Sequence, residues 1–132
     1  MSATATRREA ATILVIEDEP SVSAFVKAAL ERRGYNVVQA ASGAAGIQLL
    51  QETSFAGVIS DIRMPGTING ADVHDWVRKN RPDLANRMIL ISGDTANSET
   101  QSLLASSPTP CLEKPFRVQK LLSIVEKTFG KP

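Results

Sequence analysis

Four polar clusters in this chain each close an apolar run, and their residue types suit phosphoryl chemistry. Asp61 follows Ala56-Gly57-Val58-Ile59-Ser60 and precedes Arg63-Met64-Pro65-Gly66. A carboxylate just past a buried strand is costly unless a metal, a lysine or a partner uses it. The ends of three other apolar runs supply such helpers: Glu17-Asp18-Glu19, Ser92 and Lys114. Acids can hold a divalent cation, and a carboxylate is a suitable nucleophile toward phosphorus. An ammonium and a hydroxyl can compensate the charge on phosphoryl oxygens, which is the main demand of phosphoryl transfer.

Taken singly, each cluster has a plainer reading. Glu17, Asp18 and Glu19 precede a helix start, where acids favour the helix dipole. Asp61 ahead of Pro and Gly is a turn former, Ser92-Gly93-Asp94 is a turn, and Lys114 is a surface lysine. Only their joint occurrence at the ends of separate strands argues for a site. His74, the lone histidine, and Trp76 read as packed residues of a helix. Cys111 reads as a small hydrophobe.

The elements that must position these residues alternate in kind. Strand-like runs at 12–16, 36–40, 56–60, 87–91 and 109–112 are separated by helical stretches. The first and fourth are nearly unbroken Ile, Leu, Val or Met, which suits strands covered on both faces. Val22, Phe25, Val26, Ala29 and Leu30 make an amphipathic stripe over 20–33, with Pro20 in the first turn and Gly34 at the end. Helices are expected also over 44–52, 71–80 and 116–129, and a weaker, serine-diluted one over 96–106. A (βα)5 pattern gives an α/β doubly wound parallel sheet, and strand order 2-1-3-4-5 puts the carboxyl ends of strands one, three, four and five on one rim.

The 132 residues suffice for one domain, expected over 12–132 behind a loose tail at 1–11. Apolar residues at 42% and charged residues at 22% exclude a disordered chain. Lys plus Arg number 15 against 14 acids, so no bulk charge attracts nucleic acid or a membrane. A single cysteine excludes an internal disulfide and fits a reducing, cytoplasmic compartment. No apolar stretch is long enough to span a bilayer.

The segments Ile16-Glu17-Asp18-Glu19-Pro20, Asp61-Ile62-Arg63-Met64-Pro65, Leu90-Ile91-Ser92-Gly93 and Glu113-Lys114-Pro115-Phe116 resemble, in order and spacing, the receiver domain of two-component response regulators. The likeness runs over about 12–129 and implies a flavodoxin-like fold. It implies that Asp61 accepts a phosphoryl group from a phosphohistidine on a histidine kinase or phosphotransfer protein. Mg²⁺, or Mn²⁺ in its place, would be held by Asp18, Asp61 and the backbone carbonyl of Arg63, with Glu17 ligating directly or through water. Lys114 would pair with Asp61 before transfer and with the phosphoryl group afterwards, and Ser92 would be the switch hydroxyl that draws in 93–106. The downstream partner would be a protein docking on that moving face. Arg63 and Asp94 would overhang the site and shield the acyl phosphate from water. The Lys114–Pro115 bond would be cis.

Three positions depart from the family pattern. Cys111 occupies the switch-surface position that is usually aromatic, Glu17 replaces the commoner Asp, and the loop Gly66-Thr67-Ile68-Asn69-Gly70 is one residue longer. Competing readings are a receiver-shaped scaffold that is never phosphorylated, a haloacid-dehalogenase-type phosphohydrolase and a flavin module. The hydrolase needs a second Asp where Arg63 stands. The flavin module needs a phosphate-binding loop where Glu17-Asp18-Glu19 would repel one. On this reading the protein is a self-phosphorylating and self-dephosphorylating switch, not a metabolic enzyme.

Overall fold

The structure is a computed structural model, and it describes residues 12–64, 66–93, 101–103, 105 and 109–132. Its elements in chain order are β1 (Thr12–Ile16), α1 (Pro20–Arg32), β2 (Asn36–Ala40), α2 (Gly43–Glu52), β3 (Gly57–Asp61), α3 (Gly70–Asn80), a 3-10 turn (Pro82–Leu84), β4 (Met88–Ser92), β5 (Cys111–Glu113) and α4 (Val118–Phe129). Residues 101–103 and 105 are helical as well. The expected tail at 1–11, Asp94 and most of the helix expected over 96–106 lie outside the described residues. Among the described residues no helix is long and apolar enough to cross a membrane.

The five strands form one sheet in the order β2-β1-β3-β4-β5, every pair parallel, as the alternation of elements predicts. Side chains alternate across it, so β1 feeds two cores. Ile13 and Val15 join Val26, Leu30, Ile59, Ile91, Leu121 and Val125 beneath α1 and α4. Leu14 and Ile16 join Leu50, Val58, Val73, Val77 and Met88 beneath α2 and α3. Covering on both faces is why β1 and β4 read as nearly continuous apolar runs. Arg87 ties two of these layers together, donating from Nε to Ala56 O and from a terminal guanidinium nitrogen to Phe129 O at 2.7 Å.

Strand ends differ from the sequence reading by one or two residues, and the difference matters for the site. β3 runs on through Asp61, which is in register with Ile91, and Ile62 N–H donates to Ile91 O at 2.8 Å. β4 likewise includes Ser92, opposite Glu113. The ladder thus holds the backbones of both chemical residues instead of leaving them in loops. β5 is shorter than expected because Pro110 has no N–H to extend the ladder, although its carbonyl accepts from Leu90 N–H at 2.9 Å. Phe25 is a second correction: of the expected inward stripe on α1, Val26, Ala29 and Leu30 are buried, but Phe25 stays 43% exposed and leans on Phe116 with ring centroids 5.9 Å apart.

α3 begins where Asn69 and Asp72 form a reciprocal capping box: Asp72 N–H donates to the Asn69 side chain at 3.0 Å and Asn69 N–H to the Asp72 carboxylate at 2.9 Å. The long β3–α3 loop is closed at its base by Gly70 N–H donating to Ile62 O at 2.7 Å. A Cβ on Gly70 would fall 2.2 Å from the Asp61 carbonyl oxygen, so only glycine lets the helix start this close to the strand end.

Candidate functional site

The carboxyl ends of β1, β3, β4 and β5 meet on one rim, as parallel pairing requires. Glu17 follows β1, and its backbone N–H donates to Ala40 O at 3.0 Å, which continues the β1–β2 ladder one residue further. Its side chain therefore turns inward and is wholly buried. Asp61 at the end of β3 is 3% exposed and Ser92 at the end of β4 is 1% exposed, so both lie beneath the rim. Lys114 follows β5, where its N–H donates to Ser92 O at 2.7 Å, and the next peptide bond, Lys114–Pro115, is cis, as expected from the resemblance.

From that position the Lys114 ammonium reaches three carboxylates. Nζ lies 3.0 Å from Asp61 Oδ2, 2.6 Å from Glu19 Oε1 and 3.2 Å from Glu17 Oε1. The first two are hydrogen bonds. The third is an ion-pair approach without hydrogen-bond geometry, which leaves Glu17 Oε1 a buried oxygen with no hydrogen-bond partner. Glu17 Oε2 accepts from Glu19 N–H at 3.1 Å. Ligand oxygens of Glu17, Glu19 and Asp61 all lie within 4.8 Å of one another.

The charges follow from this crowding. Burial, with the Asp61 charge beside it, pushes the Glu17 carboxyl up to about 7, against the opposing pull of the Glu19 N–H and Lys114. For Lys114 burial acts to lower the value, but hydrogen bonds to Glu19 and Asp61 and the Asp61 charge outweigh it and hold the ammonium above its ordinary value. Three acids around one ammonium leave the pocket negative. A buried carboxylate oxygen without a hydrogen bond and clustered oxygen ligands match what a hard divalent cation requires, so the donor set fits Mg²⁺.

Not every residue singled out from the sequence joins this cluster. Asp18 is half-buried and is not one of the three clustered acids; Glu19, which the sequence places in the same acidic run but for which the resemblance implies no ligand role, is. The sequence signal for Glu19 is its place two residues beyond the buried Glu17, a weak one. Arg63 is exposed at the start of the loop after β3. Cys111 is half-buried, and burial with the Glu113 charge pushes its thiol up, which suits a packed residue.

The family model for the response regulator receiver domain matches residues 13–126. Response regulator receiver protein CpdR of Brucella abortus is 31% identical over 115 residues, covering 87% of this chain and 93% of that protein. Sensor kinase CckA of the same organism is 32% identical over 123 residues, 92% of this chain, but the chain spans only 13% of that kinase. Response regulator protein TrrA of Thermotoga maritima, solved as a complex with magnesium and BeF, superposes with a TM-score of 0.76 at 31% identity, covering 89% of this chain and 97% of that one. Matched along nearly all of its described length by the family model and along nearly all of CpdR, the chain belongs to the receiver domains of response regulators, the phosphate-accepting modules of two-component signalling.

Proposed function

We propose that Asp61 is the phosphoacceptor of this receiver and that Asp18, Asp61, the Arg63 carbonyl and Glu17 hold Mg²⁺, or Mn²⁺ in its place. The observation that carries the reading is the buried Asp61 carboxylate held 3.0 Å from the Lys114 ammonium among clustered acids. The cation would supply charge compensation for phosphoryl oxygens. Asp61 attacks phosphorus, the P–N bond of a phosphohistidine breaks, and its electron pair returns to the imidazole nitrogen. Lys114, held protonated by its carboxylate partners, neutralises a phosphoryl oxygen.

Ser92 then converts charge into shape. A phosphoryl oxygen about 4 Å from an ammonium gains roughly 4 kcal/mol per unit charge at an effective dielectric near 20. A charge-assisted hydrogen bond from Ser92 adds about 1.5–3 kcal/mol. Moving an equilibrium from 1:99 to 99:1 takes about 5.5 kcal/mol. Lys114 acts in both states, so Ser92 gives a partial shift of the segment after it, and a partner protein must complete it. The donor is a histidine kinase or phosphotransfer protein, which places the exchange in the cytoplasm where ATP supplies such kinases. Arg63 shields the acyl phosphate, and the domain's own hydrolysis of it resets the switch.

Incubation with Mg²⁺ and an acyl phosphate, followed by intact mass, tests the reading. The native chain should gain one phosphoryl mass and Asp61→Asn none. A native chain that gains nothing is a scaffold, and steady release of phosphate from varied esters marks a hydrolase.

A further inference from the structure

Glu19 stands at the N-cap of α1, yet its side chain makes no capping hydrogen bond to its own helix. It reaches instead across the rim and forms the shortest of the three Lys114 contacts, 2.6 Å against 3.0 Å for Asp61. Its backbone is held for this by Glu17, whose Oε2 accepts the Glu19 N–H at 3.1 Å. A half-exposed acid that forgoes its local partner for a lysine far along the chain calls for an explanation in the pocket. The Glu19 side chain is 55% exposed while Glu17 and Asp61 are buried, so Glu19 is the member of the cluster that meets an incoming ligand first.

We propose that Glu19 is a positioning residue that acts through Lys114: it competes with Asp61 and with the phosphoryl group for the ammonium, and its charge opposes the approach of anionic donors. The inference rests on Asp61 being the acceptor. Two consequences follow from electrostatics alone. An anion entering the pocket must displace Glu19 from Nζ, and it does so against a like charge. Both penalties vanish when Glu19 is neutral. Because Glu19 is open to water, the effect of its charge is modest, roughly threefold in an equilibrium constant for a unit charge about 6 Å away in a water-like dielectric. It also weakens with salt.

The test is beryllofluoride binding, a phosphoryl mimic, to the native chain, Glu19→Gln and Glu19→Ala at saturating Mg²⁺, read from amide NMR shifts at low and high ionic strength. Both variants should bind about threefold or more tightly than the native chain at low salt, and the gap should narrow at high salt. Melting temperatures confirm that both variants fold, and the salt response separates a charge effect from a merely structural one. Equal or weaker binding by both variants, or a gap indifferent to salt, overturns the role of Glu19. Asp61→Asn is run beside them: if it binds the mimic as the native chain does, the acceptor assignment fails instead.

Discussion

A side-chain carbon on Gly70 would lie 2.2 Å from the carbonyl oxygen of Asp61, so the start of α3 and the end of β3 are in backbone contact. That contact closes the loop carrying Arg63, whose carbonyl is assigned to the cation. Gly70→Ala should therefore push the loop away and weaken Mg²⁺ binding roughly 10-fold or more, the range for supports of a metal site. Gly57→Ala is the matched control, because its Cβ would strike the Phe129 ring at 2.5 Å, on the far side of the sheet's site rim. Both should lose about 1–3 kcal/mol of stability through overpacking. Calorimetric Mg²⁺ titration should show the affinity loss in Gly70→Ala alone.

Glu17, Glu19 and Asp61 crowd around one lysine, so like charges there oppose one another and a divalent cation would relieve that repulsion. Mg²⁺ should raise the melting temperature of the native chain, by an amount corresponding to about 2.7 kcal/mol at one hundred times its dissociation constant. Asp61→Asn removes one of the repelling charges and a ligand together. It should melt higher than the native chain without metal and respond less to Mg²⁺. A thermal scan with and without the ion measures both effects.

Ser92 is buried at the end of β4 beside the Lys114 backbone. Ser92→Ala should still accept phosphate on Asp61 but lose most of the change in amide spectra that follows. A full native spectral change in that variant would remove Ser92 from the switch.

His74 on α3 is 3% exposed, and its Nε2 lies 2.8 Å from Thr109 Oγ1. Burial, helped by Arg78 and opposed by Asp75, holds its pKa below the ordinary 6.5. The folded chain thus keeps the imidazole neutral where the unfolded chain would protonate it. The stabilisation is complete above pH 6.5 and is lost as pH falls through the lower folded value. Denaturant midpoints below pH 6.5 should fall more steeply for the native chain than for His74→Gln. Thr109→Val should cost about 1 kcal/mol at neutral pH through the lost hydrogen bond.

Much of this architecture was legible because it rests on repeated patterns. Unbroken runs such as Ile13-Leu14-Val15-Ile16 and Met88-Ile89-Leu90-Ile91 announce two-sided burial, and parallel connection then forces their ends onto one rim. Asp61 and Lys114 accordingly meet at 3.0 Å, and Lys114 N–H donates to the Ser92 carbonyl beside them. What escaped depended on rotamers and pair distances that periodicity does not encode. Phe25 fits the helical stripe by spacing yet lies outside it, against Phe116. Glu19 lies in the acidic run that the sequence offers to the site, but its pairing with Lys114 across the rim is set by a rotamer that spacing does not encode. Leu84 in the short turn after α3 was invisible because three residues carry no period. The shielding role of Asp94 lies outside the described residues.

The most direct test of the account is chemical mapping of the phosphorylated residue. Borohydride reduces an aspartyl phosphate to homoserine, so the native chain should be treated with Mg²⁺ and an acyl phosphate, reduced, digested and read by peptide mass. Homoserine at position 61 and at no other acid is the expected result. Reduction at Asp18, Glu17 or Glu19 with position 61 intact would contradict the assignment of the acceptor.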